Sequence, residues 1–235
     1  MNTLNVLSGG AAQGLVGSLK PAFKVQTGFD IAGEFGAVGA MAEKLRTGTP
    51  TDLVILTAAI VARLAAEKRV AAASIRDIGL VETALAVRTG DPPVTIKDSA
   101  DLREALLASD AIFVPDIQAS TAGIHVARVL EQLDIAEVVA DRLRIFPNGA
   151  TAMRHLAESD ARRPIGCTQS TEIISTDGVV LSGSLPRGCE LATMYTAAVT
   201  TGAAAAQQAQ RLIDLMTAAD AQELRRRAGF ISEPG

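Results

Sequence analysis

The feature that most constrains this chain is a repeated change of hydrophobic period. Short, nearly unbroken apolar runs, DLVIL at 52–56 and AIFVPD at 111–116, alternate with longer stretches in which apolar residues recur every three or four positions, as Leu15, Leu19 and Phe23 do. A strand that is apolar on every residue has no face to offer water, so it belongs inside a parallel sheet with helices on both sides. Parallel neighbours need long crossovers, and the helical stretches supply them. The pattern predicts an α/β fold with strands over 4–9, 29–35, 52–56, 111–116, 143–146 and 164–169. It predicts helices over 11–27, 37–46, 57–68, 99–108, 121–133, 135–141, 149–158, 203–217 and 219–228, the third capped by Thr57.

The rhythm breaks twice. SIRDIGLVETALAVRTG at 74–90 holds two short extended pieces with no helix between them, and VVLSGSL (179–185) followed by LATMYTAAV (191–199) does the same. Such breaks are expected where the backbone leaves one sheet and enters another. The chain is therefore read as two lobes, 1–81 plus 198–235 and 82–197, each a mostly parallel sheet flanked by helices, joined by crossings near 79–85 and 190–199. Ligands of open α/β sheets bind outside the carboxyl ends of the strands, which predicts a ligand cleft between the lobes.

Charge narrows the partners. The formal net charge is −4, and the sole basic tract, Arg225–Arg227, falls in the last turn of a predicted helix, where cations suit the dipole. A nucleic-acid surface is not expected. No run of 18 apolar residues is present, so no membrane insertion is expected. No leader is visible after Met1; as written the chain reads as cytoplasmic, or as periplasmic if a signal peptide was removed. Cys167 and Cys189 have no nearby histidine ligands and read as two buried free thiols, or as one disulfide in an oxidising compartment. His125 and His155 lie on predicted helices without a partner at metal-ligand spacing, so neither metal nor cofactor is expected.

Four loops lead from a strand directly into a helix, and free amides at a helix start bind anions without a lysine. Ser8, Gly9, Gly10 and Ala11 form the first, Gly36, Ala37 and Val38 the second, Ser120 and Thr121 the third, and Asn148 and Gly149 the fourth. Thr168, Gln169 and Tyr195, the single tyrosine, are expected to join them. The run SGGAAQG lacks the Lys-Ser/Thr ending of a phosphate loop and is not G-x-G-x-x-G, which disfavours nucleotides. A strand–Gly–helix junction also needs small residues for packing, and Ser, Thr and Asn cap helices generally. Glu34, Asp116 and Glu172 fall at or beyond strand ends and are the carboxylates best placed for acid–base work, or else lie in water at a rim. Asp52 opens a buried strand and is expected to cap or pair locally.

With these residues in view, FGAVGAMAEKLRTGTPTDLVIL (35–56) resembles the second loop, helix and third strand of the molybdate-type substrate-binding proteins of ABC transporters. STAGIHVARVLEQLDI, PIGCTQSTEI, LATMYTAAV and AQELRRRAGF resemble later segments of that family in the same order. The resemblance implies a periplasmic-binding-protein fold of the second type that closes on its ligand like a hinge, a small anion as ligand, an ABC transporter permease as partner if the chain is exported, and Tyr195 as a ligand-binding residue. The hydroxyls that molybdate-binding members carry in the first two loops are replaced by Gly10, Ala11, Ala37, Val38 and Gly39, so a small organic anion such as a carboxylate is expected instead of molybdate. The S-G-G loop and the run Ile165, Gly166, Gln169, Glu172 are closer to the branch that includes aconitate isomerase. That closeness implies an alternative, a cofactor-independent isomerase of unsaturated carboxylic acids working by a 1,3-proton shift, with Glu172, Asp116 and Tyr195 as its acid–base candidates.

Overall fold

A computed structural model describes residues 2–232. The chain divides into two compact units, Met1–Val81 with Thr193–Gly235, and Glu82–Ala192; residue 1 and residues 233–235 of the expected first lobe lie outside the described residues.

In the first unit, β1 (Thr3–Gly9) is followed by a 3-10 turn at Gly10–Ala12 and α1 (Gln13–Thr27). Then come β2 (Asp30–Gly36), α2 (Val38–Arg46), β3 (Leu53–Thr57) and α3 (Ala58–Ala66). β1 runs parallel to both β2 and β3, so the central strand is paired on both edges. All five residues of β3 are buried, as its unbroken apolar run requires. Asp52, buried beside β3, accepts the amide of Asn5 at 2.8 Å on one oxygen and that of Ala205 at 2.9 Å on the other. It thereby ties β1 to the segment before the C-terminal helices. Thr57 stands at the start of α3, but its hydroxyl makes no capping bond.

The break after Ala73 is one strand, β4 (Arg76–Arg88), and not two short pieces. β4 runs through the boundary of the two units at Val81 and Glu82.

The second unit continues with α4 (Ser99–Ala108), β5 (Ala111–Pro115), α5 (Thr121–Gln132), β6 (Leu143–Phe146), α6 (Gly149–Ala157) and β7 (Pro164–Gln169). A five-residue helix, α7 (Ser170–Ile174), follows without a break, and β8 (Val179–Ser184) ends the unit's sheet. β5 is parallel to β6 and β7, while β4 is antiparallel to β7 and β8.

The helix expected over 135–141 does not form. Asp134 takes a left-handed φ of 53°, which ends α5; a single turn then closes from Val139 to the Ile135 carbonyl, and a 3-10 turn covers Ala140–Arg142. Ile135 and Val139 are fully buried, so their helix-like spacing reports core insertion alone.

β9 (Ala192–Val199) returns to the first unit, and α8 (Ala206–Thr217) and α9 (Gln222–Arg227) close the chain. The second boundary falls at 192/193, not at 197/198 as expected. The reason is pairing: Tyr195–Val199 form an antiparallel ladder with β3, and the Thr196 hydroxyl donates to Asp77 at 2.6 Å. In the last turn of α9, Arg226 and Arg227 pair with Glu223, and Arg225 donates to the carbonyls of Met216 and Ala218.

The cores stay separate. Leu15, Phe23, Leu53 and Leu212 belong to one cluster within the first unit. Leu102, Ile112, Leu130 and Ile165, and Met153, Leu156 and Ile173, form two clusters within the second. Cys167 and Cys189 are free and buried in the former of these two, and burial pushes the Cys167 thiol up to about 12.

Candidate functional site

In the first unit the sheet brings two helix starts side by side. Gly9 and Gly36 are register partners at the carboxyl ends of β1 and β2. The 3-10 turn after Gly9 and α2 after Ala37 both begin without a side-chain cap. Their first-turn amides therefore donate no hydrogen bond to an N-cap side chain, and G-G-A-A and G-A-V-G carry no polar side chain that could accept one. The helix expected from Ala11 starts instead as this tight turn, with Ala11 and Ala12 buried beneath it. Gly10, Gly36 and Ala37 are half-buried, so their backbone is within reach of solvent, whereas Val38 is buried.

Tyr195 forms a wall of the same edge. It pairs with Thr57 at the end of β3, is 2% exposed, and meets Phe230 edge-on with ring centroids 6.5 Å apart. A Cβ on Gly9 would lie 2.7 Å from Val38 Cγ1 and 2.9 Å from Tyr195 Cε1, so the first loop needs glycine for packing. Ser8 has another job than the one expected of it. It is fully buried, and its hydroxyl donates to the Gly9 carbonyl at 2.8 Å.

In the second unit the corresponding helix starts are filled by the protein itself. Ser120 accepts the amide of Gly123 at 2.9 Å, and Asp116 accepts those of Gln118 and Ala119 at 2.7 and 3.0 Å. Asp116 thus shapes the turn before α5. The turn also explains Gly123, where a Cβ would fall 2.1 Å from the Asp116 carbonyl oxygen. Thr121, the first residue of α5, is half-buried.

Asn148 accepts the amide of Thr151 at 2.9 Å and so caps α6. Glu172 is the larger surprise. It is 6% exposed, and Thr168 donates to its Oε2 at 2.6 Å. Burial pushes this carboxyl up from the ordinary glutamate range, while the Thr168 hydroxyl and the backbone amides of Gln169, Gly149 and Ala150 favour its charged form. A Cβ on Gly149 would sit 1.9 Å from Glu172 Oε2 and 2.1 Å from Thr168 Oγ1. Asn148, Gly149 and Thr168, expected to face a ligand, are thus engaged by the cap and by Glu172. Gln169 is buried at the junction of β7 and α7.

Glu34, by contrast, is exposed and pairs with Lys44. His125 Nε2 donates to the Cys189 carbonyl at 2.8 Å, and His155 stacks on Phe146. Of the expected residues, the first unit gathers Gly9, Gly10, Ala11, Gly36, Ala37, Val38 and Tyr195 at one sheet edge. The second gathers Asn148, Gly149, Thr168, Gln169 and Glu172 around α6 and α7, with Asp116, Ser120 and Thr121 at α5. Sequence reasoning missed the Tyr195–Phe230 contact and the buried Thr171 hydroxyl, which has no partner among the described residues. The T-Q-S-T-E run carried no signal that Thr171 would turn inward.

Comparison with known proteins agrees with this architecture. A family described as bacterial extracellular solute-binding protein matches residues 4–231. Aconitate isomerase of a Pseudomonas species is 27% identical over 231 residues, spanning 94% of this chain and 84% of the relative. The periplasmic molybdate-binding protein of Azotobacter vinelandii superposes with a TM-score of 0.81 at 16% identity, covering 98% of this chain and all of that one. The sulfate-binding protein of Mycobacterium tuberculosis H37Rv superposes with a TM-score of 0.74 at 18% identity, over 98% of this chain and 86% of that one. The fold is that of periplasmic-binding proteins of the second type, mixed α/β with helices flanking the sheets.

Proposed function

Since the chain belongs to the bacterial extracellular solute-binding protein family, we propose that it binds a small organic anion, a carboxylate, through uncharged backbone dipoles. One observation carries this reading: two uncapped helix starts open at paired residues, Gly9 and Gly36, on one sheet edge. Amides at a helix start carry a partial positive charge and orient toward an anion at no cost in side-chain ordering. The carboxylate contacts Gly10, Gly36 and Ala37 through their backbone, with Tyr195 at its flank.

Molybdate fits less well. The loops offer no side-chain hydroxyl, since Ser8 is turned inward to Gly9, and each neutral donor lost removes about 0.5–1.5 kcal/mol. If the protein is exported, its partner is an ABC transporter permease.

The Pseudomonas relative favours a second reading, a cofactor-independent isomerase that moves a proton between carbons of an unsaturated acid. Glu172, Asp116 and Tyr195 are its acid–base candidates. Both readings are tested on one sample. Native mass spectrometry of the purified protein identifies any acid it retains, and titration calorimetry with trans-aconitate measures affinity. Proton NMR with cis- and trans-aconitate in deuterated water then separates the two. Binding without interconversion or deuterium uptake leaves the receptor, and interconversion establishes the enzyme. A retained ligand that is cationic or apolar overturns both. Tyr195→Phe divides the roles again, because a binding hydroxyl changes affinity whereas an acid–base hydroxyl lowers turnover.

A further inference from the structure

The second unit contains a buried carboxyl group held wholly by uncharged donors. Glu172 leaves α7 and reaches the start of α6, where Thr168 donates to it at 2.6 Å and the amides of Gly149 and Ala150 face it. No ion pair joins it to a lysine or arginine among the described residues. The space is shaped for the group: even one methyl on Gly149 would fall within 1.9 Å of its oxygen. Asn148 caps the next free amide, Thr151, so the α6 start is fully served by the chain itself. A core position normally excludes an unpaired acid, and it is tolerated here because the donors converge on it.

We propose that Glu172 is an internal carboxyl group occupying a complete carboxylate-binding cradle, so that α6 offers nothing to an external ligand and removal of the Glu172 side chain converts the cradle into a site for a free monocarboxylate. In this role Glu172 is a specificity-determining, positioning residue. It confines ligand charge to the other helix starts, and it fixes α6 against β7 and α7. The inference rests on the second unit's own geometry and takes Glu172 out of the acid–base set of the isomerase reading, leaving Asp116 and Tyr195.

The test is chemical rescue of Glu172→Ala in the full chain, read by thermal unfolding with acetate, with acetamide as its neutral isostere, and with sodium chloride at matched ionic strength. The variant unfolds at a lower temperature than the parent. Acetate raises its midpoint by about 3–6 °C for each tenfold above the dissociation constant, relative to the parent in the same buffer, and acetamide and chloride do not. Equal rescue by acetamide means that only a void is being filled, and no rescue by acetate means that no cradle exists; either result overturns the proposal. If Glu172→Ala shows no cooperative transition, refolding in acetate decides. Recovery of the transition in acetate alone supports the cradle, and recovery in both additives or in neither overturns it. The parent's affinity for trans-aconitate is measured separately, so failure to bind that acid leaves this result intact.

Discussion

A glycine and an aspartate show how much single residues decide here. Gly149 has no room for a methyl group beside Glu172 Oε2 and Thr168 Oγ1. Gly149→Ala is expected to lower stability by about 1–3 kcal/mol through overpacking, measured by urea unfolding. The same substitution should cost less in a Glu172→Ala background, because the colliding carboxyl is gone. Asp52 serves two amides from distant parts of the chain. Asp52→Asn keeps one acceptor and turns an NH2 toward the other amide, so a loss of about 1–3 kcal/mol is expected.

Glu172 also sets a pH dependence. Its folded pKa lies above the ordinary glutamate value because of burial, so the folded state binds the proton more tightly than the unfolded chain. That contribution to stability is fully present below the unfolded pKa and is lost as pH rises through the folded one. Urea unfolding from acid to neutral pH should show the parent losing this component, while Glu172→Gln lacks it. A pH profile identical in the two proteins would remove the effect.

Among the elements, α2 and α6 are both nine residues long and both start after a strand, yet they treat their free amides in opposite ways. α6 is capped by Asn148 and faced by Glu172, whereas α2 begins bare at Ala37. Ala37 has φ −60° and ψ 131°, a backbone that an aspartate cap adopts. Ala37→Asp is therefore expected to stabilise the protein by about 0.5–2 kcal/mol and to abolish carboxylate binding, since the new side chain covers the amides and repels the ligand. A thermal melt and calorimetry on the same sample read the two effects. A stabilised variant that still binds trans-aconitate with parental affinity would place the anion elsewhere. The differing fates of the two helix starts were not legible locally, because the group that fills α6 comes from a residue 23 positions after Gly149.

Over the whole molecule, the two units share strands but not cores. The second is one continuous segment, and its ends meet where the Thr83 amide donates to the Leu191 carbonyl at 2.9 Å. A chain of residues 82–192 is expected to fold alone, with cooperative thermal unfolding and the far-UV signature of an α/β domain. Non-cooperative melting of that fragment would show that its two clusters need the first unit.

By itself the sequence determined what local periodicity encodes. Apolar runs such as DLVIL marked buried parallel strands, three-and-four spacing marked helices that cover them, and breaks in that rhythm marked the crossings. Bare loops such as G-G-A-A were likewise visible, since the absence of a capping side chain is a property of a few adjacent residues. Only the tertiary structure decided what was brought to those loops from afar: Tyr195 against Gly9, Asp52 between Asn5 and Ala205, and Glu172 beneath Gly149. It also decided that Ile135 and Val139, spaced like a helix, are two plugs in a turn. Burial and hydrogen bonding act through space, and the sequence distance between these partners is too long for any local pattern to record.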